Sequence, residues 1–301
     1  MLDLVLPVAE ELRQICGDLG AKNVFTLGIS YGGYVALLLG SILGARRTFA
    51  FGPETAIGLP ATRSERLVRG VSINSPYADL ASHLRDCPPI DAHIFCGGED
   101  ITDLYSGLRV QDLPGVHVHS APGSSHTAIP YFSERRTLRP MLSELIEDRF
   151  DYRAYGEESG LLDDREAILA WYEGYRSLTE RRFQAARTSL ENFVSRHPHI
   201  VTGRQHLGHA LLGLRRFDEA VSVLEAVLES KRADPAVYFL LGRSREGQGE
   251  LSAAMQYYRD GLAYFPNNKR LRAALDVLED AFRRDRGASR LEGSDPTPTN
   301  T

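Results

Sequence analysis

Two different spacings of apolar residues divide this chain. Up to about residue 150, short apolar runs alternate with amphipathic stretches. The runs at 23–28 (Asn-Val-Phe-Thr-Leu-Gly), 47–51 (Arg-Thr-Phe-Ala-Phe), 92–97 and 115–120 predict strands. The stretches near 6–19, with Leu6, Val8, Leu12 and Ile15, and near 32–44 and 134–148 predict helices. Strands alternating with helices argue for a parallel sheet covered on both faces.

From about residue 167 the period changes to 34 residues. Gly174, Gly208 and Gly242 follow this step, as do Ala186, Ala220 and Ala254, and then Leu190, Leu224 and Tyr258. Pro198 and Pro266 stand two steps apart, with Pro235 near the missing middle one. A small Gly in one helix and a small Ala in the next let two helices cross closely, the large residue packs into the following hairpin, and the Pro ends the second helix. This spacing resembles the tetratricopeptide repeat family. Tyr238, Leu241, Gly242, Ala254, Tyr258 and Pro266 of the third copy fall on its motif positions. The resemblance implies an α-solenoid of three helical hairpins at about 167–200, 201–234 and 235–268, within a domain spanning 151–285. A capping helix is expected over 269–284, followed by a disordered polar tail over 286–301. Glu173, where an apolar residue is usual, marks a face expected to meet the preceding domain. A protein or peptide partner in the groove of the repeats is the implied role.

The chemistry-bearing motif is Gly28-Ile29-Ser30-Tyr31-Gly32, between a predicted strand and a predicted helix. At such a sharp turn a side chain at 28 or 32 is expected to clash. Ser30 would stand exposed at the helix N-terminus, with the Tyr31 N–H aimed at a developing oxyanion. Asp100 follows the strand at 92–97, and His126 follows the strand at 115–120. Asp103, three residues beyond Asp100 in the same loop, is the alternative acid. The order Ser…Asp…His resembles the α/β-hydrolase family over residues 1–150, and Ala50-Phe51-Gly52-Pro53 fits a bacterial subgroup of it. The resemblance implies an ester or acyl-transfer site: Ser30 the nucleophile, His126 the general base and acid, Asp100 the orienting acid, Tyr31 the oxyanion donor. It requires no metal or organic cofactor. Ser30 as a mere turn residue of a strand-to-helix loop is the competing reading. His117 and His119, two apart on a strand, lack a third ligand of clear spacing and read as packed or solvent-side histidines rather than a metal pair.

Composition narrows the partners. The chain of 301 residues is 43% hydrophobic and 25% charged with a net charge of −5, which favours neither nucleic acid nor an anionic membrane. Cys16, Cys87 and Cys96 have no paired spacing and fit a reducing compartment. With no signal-like start and no apolar run long enough to span a bilayer, a cytoplasmic location is expected by default.

Only about 22 residues precede the strand that leads to Ser30, fewer than a full hydrolase places there. That strand is therefore expected at a sheet edge needing cover. A longer natural chain, pairing with a second copy through the edge, or a degenerate hydrolase kept as a binding platform would each account for it. Two functions follow: a serine esterase or acyltransferase acting on a small ester or acyl substrate, or an inactive scaffold whose repeats bind a protein.

Overall fold

The computed structural model describes residues 4–292 except 72, 148, 156–159 and 231–233, with side chains as far as 284. Helix α1 (Val5–Asp18) leads into strand β1 (Phe25–Ile29), α2 (Tyr31–Leu43) and β2 (Arg47–Phe51). Helices α3 (Arg63–Leu67) and α4 (Leu80–Asp86) precede β3 (Ala92–Gly97), and α5 (Ile101–Leu108) precedes β4 (Val116–Ala121). Helices α6 (Ile129–Glu134) and α7 (Leu138–Ile146) follow.

The strands form one parallel sheet in the order β1-β2-β3-β4. Parallel crossovers are right-handed, so a sheet built in sequence order puts its connecting helices on one face. The side chains agree. Ala50 lies against α2, and Cys96 and Val118 lie against α5. The register places Ala50 beside Ile94 and Ile94 beside Val118 on that face. The opposite face carries Phe49, Phe51 and Phe95, covered by Phe132 of α6, Met141 and Leu145 of α7, and Tyr152. Its rings pack tightly, with Phe51 stacked on Phe95 at 4.7 Å and Phe132 edge-on to Phe95 at 5.7 Å. His93 lies in the same layer, and burial, with His119, His117 and Arg47 alongside, pushes its imidazole down to about 3.

β1 is an edge strand, paired with β2 alone among the described residues. Its Leu27 and Ile29 register with Phe49 and Phe51, yet remain 49% and 47% exposed. The cover that α6 and α7 give the other strands does not enclose them.

Among the described residues, seven α-helices follow: α8 (Arg165–Thr179), α9 (Phe183–Arg196), α10 (Val201–Gly213), α11 (Phe217–Glu229), α12 (Pro235–Gly247), α13 (Leu251–Tyr264) and α14 (Lys269–Glu292). They form three hairpins and a final helix. Ala186, Ala220 and Ala254 and the large Leu190, Leu224 and Tyr258 are all fully buried. The glycine positions work by close approach: a Cβ on Gly208 would run into Leu224, and one on Gly242 into the Tyr258 ring. Pro235 ends no helix. It opens α12 directly after the capping Asp234, whose carboxylate accepts from Ala236 N at 2.7 Å. Helix α14 passes the expected end at 284, so 286–292 is helical; the rest of the expected tail lies outside the described residues.

Contacts divide the chain into two compact units. One unit holds the chain up to Glu180 together with Thr188–Gly203; the other holds Arg181–Arg187 and the chain from Arg204 onward. Most of the first hairpin therefore belongs with the sheet. Tyr172 of α8 stacks on Tyr105 of α5 at 3.6 Å and donates to Pro60 O at 2.5 Å. Glu99 accepts from Val201 N and Thr202 N, capping the start of α10. Glu173 pairs with Arg176 on its own helix, and its neighbour Tyr172 makes the contact with α5.

Replacing Gly242 by Ala drives a methyl into the buried Tyr258 ring. The expected loss is about 1–3 kcal/mol of overpacking, read as a lower urea midpoint. An unchanged midpoint would contradict the close crossing.

Candidate functional site

Each residue of the site follows the C-terminal end of a strand. Ser30 is the single residue between β1 and α2, with φ 54° and ψ −120°, a conformation that non-glycine residues rarely adopt. It is held by its N–H donating to Phe51 O at 2.7 Å. The turn is tight because a Cβ at Gly28 would overlap the backbone of Gly32 and Gly33. Position 32 is different from expectation: a Cβ there meets open space, and the second tight position is Gly33, where a Cβ would lie 3.3 Å from Gly28 O and 3.4 Å from Pro53 Cβ. The Ser30 hydroxyl caps no helix N–H, so it is left for a partner outside its own helix.

That partner is His126. Its Nε2 lies 2.9 Å from Ser30 Oγ. The loop carrying His126 follows β4 and presses close to the end of β3, where a Cβ on Gly97 would overlap the Ser125 carbonyl. Thr127 and Ala128 both have positive φ, turning the chain sharply behind the histidine.

The acid at the imidazole is Asp103, not Asp100. Asp103 Oδ1 lies 2.7 Å from His126 Nδ1, while its Oδ2 accepts from Thr127 N at 2.9 Å and Gly97 N at 3.2 Å. Asp103 is almost wholly buried in the first turn of α5. Asp100 is the N-cap of that helix. Its Oδ1 accepts from Thr102 N, Thr102 Oγ1 and Asp103 N, and its Oδ2 is held by Arg63. A carboxylate spent on helix N–H groups and a guanidinium is not available to orient an imidazole. The signal was present: an Asp immediately before an apolar helical turn reads as a cap.

Arg63 could not be read from the sequence. From the start of α3 it reaches Asp100 and Thr102 and comes within 3.5 Å of Asp103 Oδ1. Its charge sets the two carboxyls apart. Burial pushes Asp100 up, but Arg63 and the hydrogen bonds to its oxygens outweigh this and leave it below the ordinary range. Asp103 is pushed up, first by burial and then by the charge of Asp100, against the pull of His126 and the Thr127 N–H. Tyr31 opens α2, so its N–H belongs to the positive end of the helix dipole.

Fold and comparison together give a small parallel α/β region followed by an all-α region with repeats of the tetratricopeptide type. Residues 206–269 match the family model described as tetratricopeptide repeat. Such repeats are protein-interaction modules. No curated protein matches the chain by sequence. Among solved structures, the first TPR domain of the human RPAP3 protein is similar at 18% identity and a TM-score of 0.38, over 40% of this chain and 96% of that one. MamA AMB-1 is similar at 20% identity and a TM-score of 0.35, over 54% and 89%. A mutant form of MamA is similar at 19% and 0.35, over 56% and 91%. No helix among the described residues is long and apolar enough to cross a membrane.

The two aspartates are separable by experiment. If Ser30 reacts with a fluorophosphonate, Asp103→Asn is expected to slow that labelling sharply, while Asp100→Asn keeps both the cap and the labelling. Burial still raises Asp103, but the Asp100 charge no longer does, so protonation of Asp103, followed by the NMR signal of its carboxyl carbon, moves to lower pH in Asp100→Asn. A shift to higher pH, or equal loss in both variants, would contradict the assignment.

Proposed function

We propose that the α/β region is a serine-dependent esterase or acyltransferase and that the repeats hold a protein partner, either its substrate or a protein that directs it. The observation that carries the reading is the unbroken chain Ser30 Oγ, His126, Asp103, with its two links of 2.9 and 2.7 Å. An ionised Asp103 accepts a hydrogen bond from the Nδ1–H of His126, holding that proton on the ring and leaving Nε2 bare to take the serine proton. Ser30 Oγ then bonds to the carbonyl carbon of an ester or acyl donor, and the Tyr31 N–H stabilises the oxyanion. His126 returns the proton to the departing oxygen as the acyl–leaving-group bond breaks. Water or an acceptor hydroxyl, deprotonated by His126, breaks the acyl–Ser30 bond and frees the serine. The cationic Arg63 opposite Asp100 keeps charge balanced behind the acid.

A second reading, an inactive α/β region serving as a platform for protein-binding repeats, is favoured by two observations. The family match lies wholly within the repeats. And β1 has no neighbour on its outer side among the described residues, the side from which a second oxyanion donor would come. Loss of one donor costs a factor of about 10²–10³ in rate.

Labelling of the folded full chain with a fluorophosphonate probe separates the two readings. The enzyme reading expects covalent labelling that disappears in Ser30→Ala and falls by roughly 10²–10⁴ in His126→Ala, the usual contribution of a general base. A folded wild-type chain that does not label supports the platform reading.

A further inference from the structure

At the other end of the sheet, β3 and β4 begin with a second group of polar side chains that the serine site does not use. Strand alternation puts Asp91, immediately before β3, on the same face as His93, and the register sets His93 beside His117 of β4. We infer that Asp91, His93 and His117 form a binding site for one divalent transition-metal ion of the zinc type.

The geometry is specific. His93 Nε2 lies 3.2 Å from Asp91 Oδ1, and the His93 and His117 rings stack at 4.9 Å with 24° between their planes. Each of the three offers a ligand atom, and these atoms lie within 4.8 Å of one another. Ligands at about 2.0–2.2 Å from a tetrahedral zinc ion stand roughly 3.4 Å apart. His117 is exposed, so a turn of its side chain closes the difference. The surroundings act on the ligands from outside. Arg47 Nε donates to Asp91 Oδ2 at 2.6 Å, which fixes the carboxylate with Oδ1 toward His93. His93 Nδ1 lies 3.1 Å from His119 Nε2, so its second ring nitrogen has an orienting partner. Two imidazoles and a carboxylate suit zinc and its neighbours rather than calcium or magnesium, and the exposed side leaves room for water to complete the coordination. The other mixed cluster, Asp100, Asp103 and His126, is different: helix N–H groups, Arg63 and Ser30 already occupy its donor atoms.

The sheet is parallel, so this site lies at the strand ends opposite Ser30. It is independent of whether Ser30 reacts.

The test is zinc titration of the full chain, free of any histidine tag, by calorimetry, with cobalt absorption as a second readout. Wild type and His126→Ala should each bind one zinc ion per chain. Affinity should fall about tenfold or more in His117→Ala and in His93→Gln, since loss of even an outer partner costs about 10–100-fold. His117 is exposed, so His117→Ala tests the site without disturbing the core. No zinc binding by wild type, equal binding by His117→Ala, or loss in His126→Ala alone would overturn the proposal.

Discussion

The buried Asp103 carboxylate is the group through which the strand ends are tied together. One oxygen faces His126, and the other accepts from Thr127 N in the histidine loop and from Gly97 N at the end of β3. A carboxylate this deeply buried is costly unless its oxygens are satisfied. Meeting that demand draws the loop after β4 onto the end of β3, which in turn brings the imidazole to Ser30. The strained backbone at Ser30 belongs to the same arrangement. The Ser30 N–H bonds back to the end of β2, and the hydroxyl is aimed at the ring and away from its own helix. The parallel sheet places all of these loops at one end.

Much of this was legible in the sequence, because the relevant signals are local. The 34-residue step of Gly, Ala and large apolar residues gives the hairpins, since those side chains occupy the crossings. A motif and the order of strands likewise anticipate that Ser30 and His126 come within 2.9 Å of one another. The acid was harder. Asp100 and Asp103 share one helix start, and only their side-chain directions, one capping and one turned inward, separate them. Arg63 was out of reach, because its link to Asp100 joins loops that only the fold makes neighbours. The neighbours of His117 are out of reach for the same reason: only the β3–β4 register sets His93 beside it.

Repeat periodicity and structural partnership also proved to be different things. The first hairpin repeats like the others, yet Tyr172 binds it to α5 and to the Pro60 carbonyl of the α/β region. A period reports which residues fill a crossing between helices. It carries no information on what covers the outer side, where the Tyr172 ring stacks on Tyr105. The α/β region thus includes helical surface that the period alone assigns elsewhere.

In the proposed mechanism an ionised Asp103 fixes the tautomer of His126 so that Nε2 can take the Ser30 proton. Nitrogen NMR of histidine-labelled protein at neutral pH measures this directly, with the His126 signals assigned by His126→Gln. The expected result is a protonated Nδ1 and a bare Nε2, with that preference lost in Asp103→Asn. A protonated Nε2 beside a bare Nδ1 in the wild-type protein would contradict it.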